Sequence, residues 1–258
     1  MIISVTNQKG GVGKTVTSIN LAAALGLEKK YRILLIDMDP QGHSSLCFLD
    51  DDSYTVNLYE LFRGERKLAD SIVQIKEEHF DLIPTGISLA KIERELISEV
   101  DGHFALKDLL EHVKSDYDII IIDTPPALGM LTINCLVASD YIVIPIQASY
   151  LSLEGTEDLL DTIKRVKTRF NPGLEILGTL ITIHDHRTVL GRDVVKRIQN
   201  VFGDKVFSTS ISKSVRLEES PAYRESIFRY APGSVSAREY RLLGKEVIER
   251  VDSKGSTG

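Results

Sequence analysis

The chain has 258 residues, 43% of them hydrophobic, and a formal charge of −6 at neutral pH. That length can bury one large core, and the lack of an eighteen-residue apolar run or a leader-like start argues against a spanning helix or signal peptide, so a soluble cytoplasmic protein is expected. Cys47 and Cys135 lack metal-ligand spacing, which excludes a site built on a cysteine pair, and the acidic balance excludes an all-over nucleic-acid coat while leaving room for a local basic patch.

In chain order, residues 2–6 read as a buried strand, and 15–27 carry apolar residues at helical spacing. Between them lies Lys9-Gly10-Gly11-Val12-Gly13-Lys14-Thr15. A strand feeding a glycine-rich loop into a helix makes a phosphate cradle. The amides of Gly11 to Thr15 point at phosphate oxygens, the helix dipole adds positive potential, and glycine lets the main chain approach closely. Lys14 is expected to reach the β- and γ-phosphates of ATP and the Thr15 hydroxyl to ligate Mg2+, with Gly10, Gly11, Val12, Gly13 and Val16 completing the nucleotide contacts.

Residues 32–36 form a second aliphatic run, which enters Asp37-Met38-Asp39-Pro40-Gln41. Two carboxylates two residues apart leave that strand on one side of the chain. Asp39 is the candidate for orienting the attacking water, and Asp37 for holding a magnesium-bound water. Acidic Asp50-Asp51-Asp52 reads as a solvated turn. Further strands are expected at 80–83, 118–122, 140–145 and 176–183, and the fourth run ends in Asp123, a second carboxylate placed to support magnesium. Strands alternating with helical patterns predict an α/β fold, a mostly parallel twisted sheet flanked by helices on both faces, with its ligand at the carboxyl ends of the strands.

From 187 to 216 the chain carries seven basic residues, among them Arg187, Lys213 and Arg216, against two acidic ones. Such a patch can hold phosphate backbones without reading bases, although Arg192, Lys196 and Arg197 also suit the wet face of a helix. His184 and His186 read as loop histidines. The last helical pattern, 236–251, has Tyr240, Leu243, Val247 and Val251 on one stripe and suits a helix packed on the core. One ATPase domain is expected over 1–251, with a flexible tail at 252–258.

The first motif departs from the usual phosphate loop: Gln8 stands where the first glycine falls, and Lys9 adds a second lysine. That combination resembles the deviant Walker A group, the ParA/MinD ATPases. Residues 37–41 resemble the family's first switch, with His43 where the family usually has asparagine, and 123–134 resemble its second switch. The likeness continues through 143–147, 153–155 and 214–221, and so runs from residue 2 to about 250. In the late segment, where the family commonly shows Pro-Arg-Asn-Val-Arg, this chain has Ser212-Lys213-Ser214-Val215-Arg216.

The resemblance implies a slow, partner-stimulated, Mg2+-dependent ATP hydrolase that alternates between ATP and ADP. It implies that Lys9 crosses to the nucleotide of a partner subunit, tying ATP to a homodimer. It implies that Arg187, Lys213 and Arg216 contact nonspecific double-stranded DNA, that the Pro221 segment touches adenine, and that a ParB/Spo0J-like centromere-binding protein stimulates hydrolysis. The loop begins too early for a preceding helix-turn-helix domain, as in the short Soj-like forms, so specific operator binding is not expected. Nucleoid association is expected and stable membrane binding is not. The alternative is a MinD-like or cluster-positioning ATPase whose cargo is a membrane or a protein.

Overall fold

The computed structural model describes residues 1–50, 57–149, 153, 155–185 and 189–255. Asp51, Asp52, Glu154, His186 and Arg187, singled out above, lie outside the described residues, as do 256–258. Eight strands among the described residues form one sheet: β1 (Ile2–Val5), β2 (Ile33–Asp37), β3 (Val73–Ile75), β4 (Phe80–Ile83), β5 (Ile119–Asp123), β6 (Tyr141–Gln147), β7 (Glu175–His184) and β8 (Val206–Ser212). Their order is β3-β4-β2-β5-β1-β6-β7-β8, parallel throughout except for β3, which pairs antiparallel with β4.

The six strands read from the sequence are present, and β3 and β8 are additions at the two edges. β8 buries Phe207 and Ile211 between half-exposed or exposed polar residues, so it lacks the aliphatic run of a strand covered on both faces. What makes it a strand is tertiary, because its last covering helix supplies partners for its backbone.

The helices are α1 (Lys14–Leu27), α2 (His43–Leu46), α3 (Leu58–Phe62), α4 (Leu89–Ser98), α5 (Ala105–Leu110), α6 (Met130–Ala138), α7 (Thr156–Arg169), α8 (Val189–Phe202), α9 (Val215–Glu219), α10 (Ile227–Tyr230) and α11 (Val235–Gly255). Glu246 of α11 accepts hydrogen bonds from the backbone of Ser208 (2.8 Å) and Thr209 (3.0 Å), and Arg250 donates to Val206 O at 2.7 Å. The same helix runs past the 236–251 pattern read from the sequence. It continues through Gly255, where Lys254 is ion-paired with Glu175 and lies over the Tyr141 ring, giving the extra turn a place on the sheet edge.

Alternation along the strands sorts the core into layers. Ile33 and Leu35 of β2, with Ile119 and Ile121 of β5, pack with α1, α10 and α11. Leu34, Ile36, Ile120 and Ile122 point the other way, into α3 to α6, while Ile142, Ile144 and Ile146 of β6 meet α7 and α8. Tyr240, Leu243 and Val247, the apolar stripe of α11, are buried in the first of these layers. No helix among the described residues is long and apolar enough to cross a membrane.

Register places the chemistry. Val5 and Asp37 each stand opposite Asp123 in the parallel pairings β1–β5 and β2–β5. The strand that opens the glycine loop and the two strands that end in carboxylates therefore finish side by side.

Candidate active site

The loop after β1 is held by side chains on both flanks. Asn7 Nδ2 donates to Pro145 O at 2.7 Å, Asn7 Oδ1 accepts from Lys9 N at 3.0 Å, and Thr182 Oγ1 donates to Val12 O at 2.8 Å. Gly11 (φ 74°) and Gly13 (φ 86°) take the left-handed conformation that favours glycine. A Cβ built on Gly10 or Gly11 meets nothing within 4 Å, which leaves that side of the loop open to a ligand. Lys14 folds back over the turn, Nζ donating to Lys9 O at 3.0 Å, and is 7% exposed. Burial pulls its ammonium below the ordinary lysine value, with Asp123 and then Asp39 acting in the opposite sense.

Beneath the loop, Asp37 and Asp123 are fully buried. Asp123 accepts from Ser44 Oγ (2.7 Å) and Ser18 Oγ (3.1 Å), and the Thr15 hydroxyl also bonds it. Asp37 Oδ2 accepts from both the amide and the hydroxyl of Ser45, each at 2.7 Å. Burial, and then the charge of Asp123, push the Asp37 carboxyl up to about 8. Burial raises Asp123 as well, against the pull of its hydroxyl donors and Lys14. Two facing carboxylates in a dry site call for a cation between them. The oxygen-only donors around them, with Thr15 at the loop's end, fit a hard divalent ion such as magnesium, held partly by a ligand's own oxygens. Among the described residues no cluster of three or more acidic, histidine or cysteine side chains is placed to hold a metal ion.

Above them opens a cavity of about 680 Å³. Its walls include Gly10, Gly11, Gly13, Lys14, Thr15 and Val16 from the loop and α1, Asp39, Gln41 and His43 from the segment after β2, and Lys213, Leu217 and Pro221 from the segment after β8. Asp39 is 8% exposed, its Oδ1 fixed by Gln41 N at 3.0 Å. The sequence-predicted residues thus sort by depth. Lys14, Thr15, Asp39 and Pro221 line the cavity, and Asp37 and Asp123 are fully buried at the strand ends, Asp123 bonded by the Thr15 hydroxyl. Val12 is buried, its carbonyl bonded by Thr182, and Lys9 is half-buried at the loop's start. A neighbouring concavity of about 1140 Å³ shares Ser212, Lys213 and Ser214 with the first and brings Arg216 alongside Lys213. Arg187 lies outside the described residues.

Sequence reasoning missed Ser18, Ser44 and Ser45, the hydroxyls that hold the carboxylates, and Thr182, which braces the loop. Ser18 carried a usable signal, since it follows Lys14 by four residues on one helix face.

A parallel sheet whose first strand ends in this loop, over carboxylates from two adjacent strands, defines a phosphate-loop nucleoside triphosphatase. An AAA domain family model matches residues 1–176. The sporulation initiation inhibitor protein Soj of Bacillus subtilis is 44% identical over 247 residues, covering 95% of this chain and 97% of its own length. The chromosome-partitioning ATPase Soj of Treponema pallidum is 41% identical over 244 residues, 95% of each chain. Among solved structures, cobyrinic acid a,c-diamide synthase of Mycobacterium smegmatis with bound ADP and magnesium superposes with a TM-score of 0.79 at 33% identity, over 91% of this chain and 96% of that one. The chain belongs to the ParA/Soj family of chromosome-partitioning ATPases.

Proposed function

We propose that this protein is an ATP-driven DNA-segregation switch: the ATP-bound form pairs as a sandwich homodimer, holds nonspecific double-stranded DNA, and releases it on hydrolysis stimulated by a ParB/Spo0J-like partner. The observation that carries the reading is the vertical arrangement of the site, with the buried Lys14 ammonium and open glycine backbone above the in-register pair Asp37 and Asp123. Phosphoryl transfer is catalysed by positioning and charge stabilisation, which is what such an arrangement offers.

The roles follow from depth. Lys14 and the amides of residues 10–16 hold the β- and γ-phosphates, and Pro221, on the far wall, borders the adenine. Thr15, Asp37 and Asp123 would hold magnesium. Bound there, the ion would supply charge neutralisation to the phosphates. Asp39, on the cavity wall, orients the attacking water. Lys213 and Arg216 sit side by side around the larger concavity and, with Arg187, supply the phosphate-backbone contacts.

Lys9 leaves the phosphates of its own subunit to Lys14 and reaches those of the second copy, neutralising charge as an arginine finger does. Lys9→Ala is expected to abolish ATP-dependent dimers in light scattering while sparing most ADP binding, and normal dimers in that variant would remove the in-trans role. The experiment that tests the whole reading is retention on nonspecific duplex DNA with ATP against ADP at low and moderate salt. ATP-dependent retention that weakens with salt supports it, with Arg216→Ala losing retention. No retention in either nucleotide state would transfer the switch to a membrane or protein cargo.

A further inference from the structure

Gln8 stands where the usual phosphate loop has its first glycine, and none of the roles above uses it. Its half-buried side chain leaves the loop sideways, Nε2 donating to the carbonyl of Gly155, the residue that precedes α7. The seat is close-fitting. Gly155 is left-handed (φ 74°), and a Cβ built on it would collide with Gln8 Nε2. The next residue after Gln8 is Lys9, whose main chain is held at both ends, its amide by Asn7 Oδ1 at 3.0 Å and its carbonyl by Lys14 Nζ at 3.0 Å. Asn7 passes its hold on to β6 through Pro145 O. Lys9 itself does not line the cavity that Lys14 and Thr15 enter.

We propose that Gln8 is a positioning residue for Lys9: by tying the start of the loop to α7, it aims the lysine away from its own subunit's nucleotide and at that of a second copy of this chain. The inference rests on the in-trans role proposed for Lys9. Of the holds on this stretch, the one from Lys14 comes from the group that serves the phosphates, so a bound nucleotide draws it off. Asn7 fixes the Lys9 amide from only two residues away, as asparagine does in a local turn, and its second bond goes to a strand beside β1. Gln8 is the hold that reaches a separate helix, and a glycine at that position could not make it. A lysine on a loosely held root spreads over many conformations, and the entropy of gathering them is subtracted from any contact made across an interface. With its root tied down on two sides, Lys9 meets the other copy already in place.

The test mixes subunits. ATP turnover with magnesium is measured for the full chain carrying Gln8→Ala, for Asp39→Ala and for an equimolar mixture of the two, beside the same series with Lys9→Ala in place of Gln8→Ala, and ADP affinity is measured for each variant. Gln8→Ala alone is expected to turn over ATP about tenfold more slowly than the wild type while binding ADP normally, on the scale of a slightly misplaced charge-stabilising group. In a mixed dimer the site of the Gln8→Ala subunit keeps its own Asp39 and receives Lys9 from a partner whose Gln8 is intact, so the mixture is expected to exceed the average of its two parents severalfold. A Gln8 that merely shaped its own subunit's loop would leave that site impaired whatever the partner carried. A normal rate in Gln8→Ala alone, loss of its ADP binding, or no recovery in its mixture where the Lys9→Ala mixture recovers would overturn the inference while leaving the in-trans lysine in place. No recovery in the Lys9→Ala mixture would overturn the in-trans reading and the inference with it.

Discussion

Asp39→Ala is expected to reduce ATP turnover by about a hundredfold or more while leaving ATP-dependent dimers and DNA retention intact, a loss on the scale of removing a group that positions or activates a nucleophile. The separation follows from depth. Asp39 lines the cavity and is slightly exposed, whereas Asp37 and Asp123 are fully buried and do not line it. Gln41 N fixes one of the Asp39 oxygens, so the carboxylate is oriented before any substrate arrives. Removing it leaves the loop, Lys14 and the magnesium donors untouched, and the protein should accumulate in its ATP form. Turnover assayed alongside dimerisation decides the matter. A near-normal rate would free Asp39 from the chemistry, and a loss of ATP binding together with rate would make it a structural residue of the loop after β2.

The second large effect concerns stability. Burial and the charge of Asp123 raise the folded-state Asp37 carboxyl to about 8, well above its value in the unfolded chain. The native protein then keeps a proton that the unfolded chain releases from about pH 4 upward. The stabilising contribution of that proton is complete below pH 4 and is lost as pH rises through 8, so protein free of nucleotide and metal should weaken across that window. The full effect is about 5 kcal/mol at most, because facing carboxylates share the proton. Asp37→Asn carries no charge to bury, so in EDTA its thermal midpoint at pH 8 should exceed that of the wild type by several degrees, and its midpoint should depend less on pH. The same variant should lose magnesium-dependent turnover. Parallel pH curves for the two proteins would show that Asp37 is ionised at neutral pH and paired by something other than a bound cation.

What could be read from the residues alone depended on how local the constraint was. The glycine loop, Asp37 and Asp123 were legible because each sits at the end of an aliphatic run, and the parallel fold then forces those ends together. Ser44 and Ser45 were not, because nothing in residues 42–46 announces that their hydroxyls meet carboxylates from two strands, one of them 79 positions away. β8 stayed hidden for a related reason: four of its seven side chains are polar, and its place in the sheet depends on Glu246 and Arg250 from the final helix. The end of that helix was misplaced because its last turn is secured by Glu175, a residue distant in sequence. The DNA-facing reading drew on composition and resemblance, and only Lys213 and Arg216 have a described position from which to judge it.

The order of strands also bears on how the protein is made. β1 is synthesised before every other strand of the sheet, yet it belongs in the middle, between β5 and β6. Its neighbours are synthesised only after residue 119 and residue 141, and the α11 stripe that covers α1 comes about a hundred residues later still. The glycine loop therefore spends most of translation without the strands that brace it, and the closing of such distant pairings is the slow part of folding. Nucleotide should fail to engage a nascent chain that stops short of β6, so ATP can favour the finished fold but cannot template its beginning.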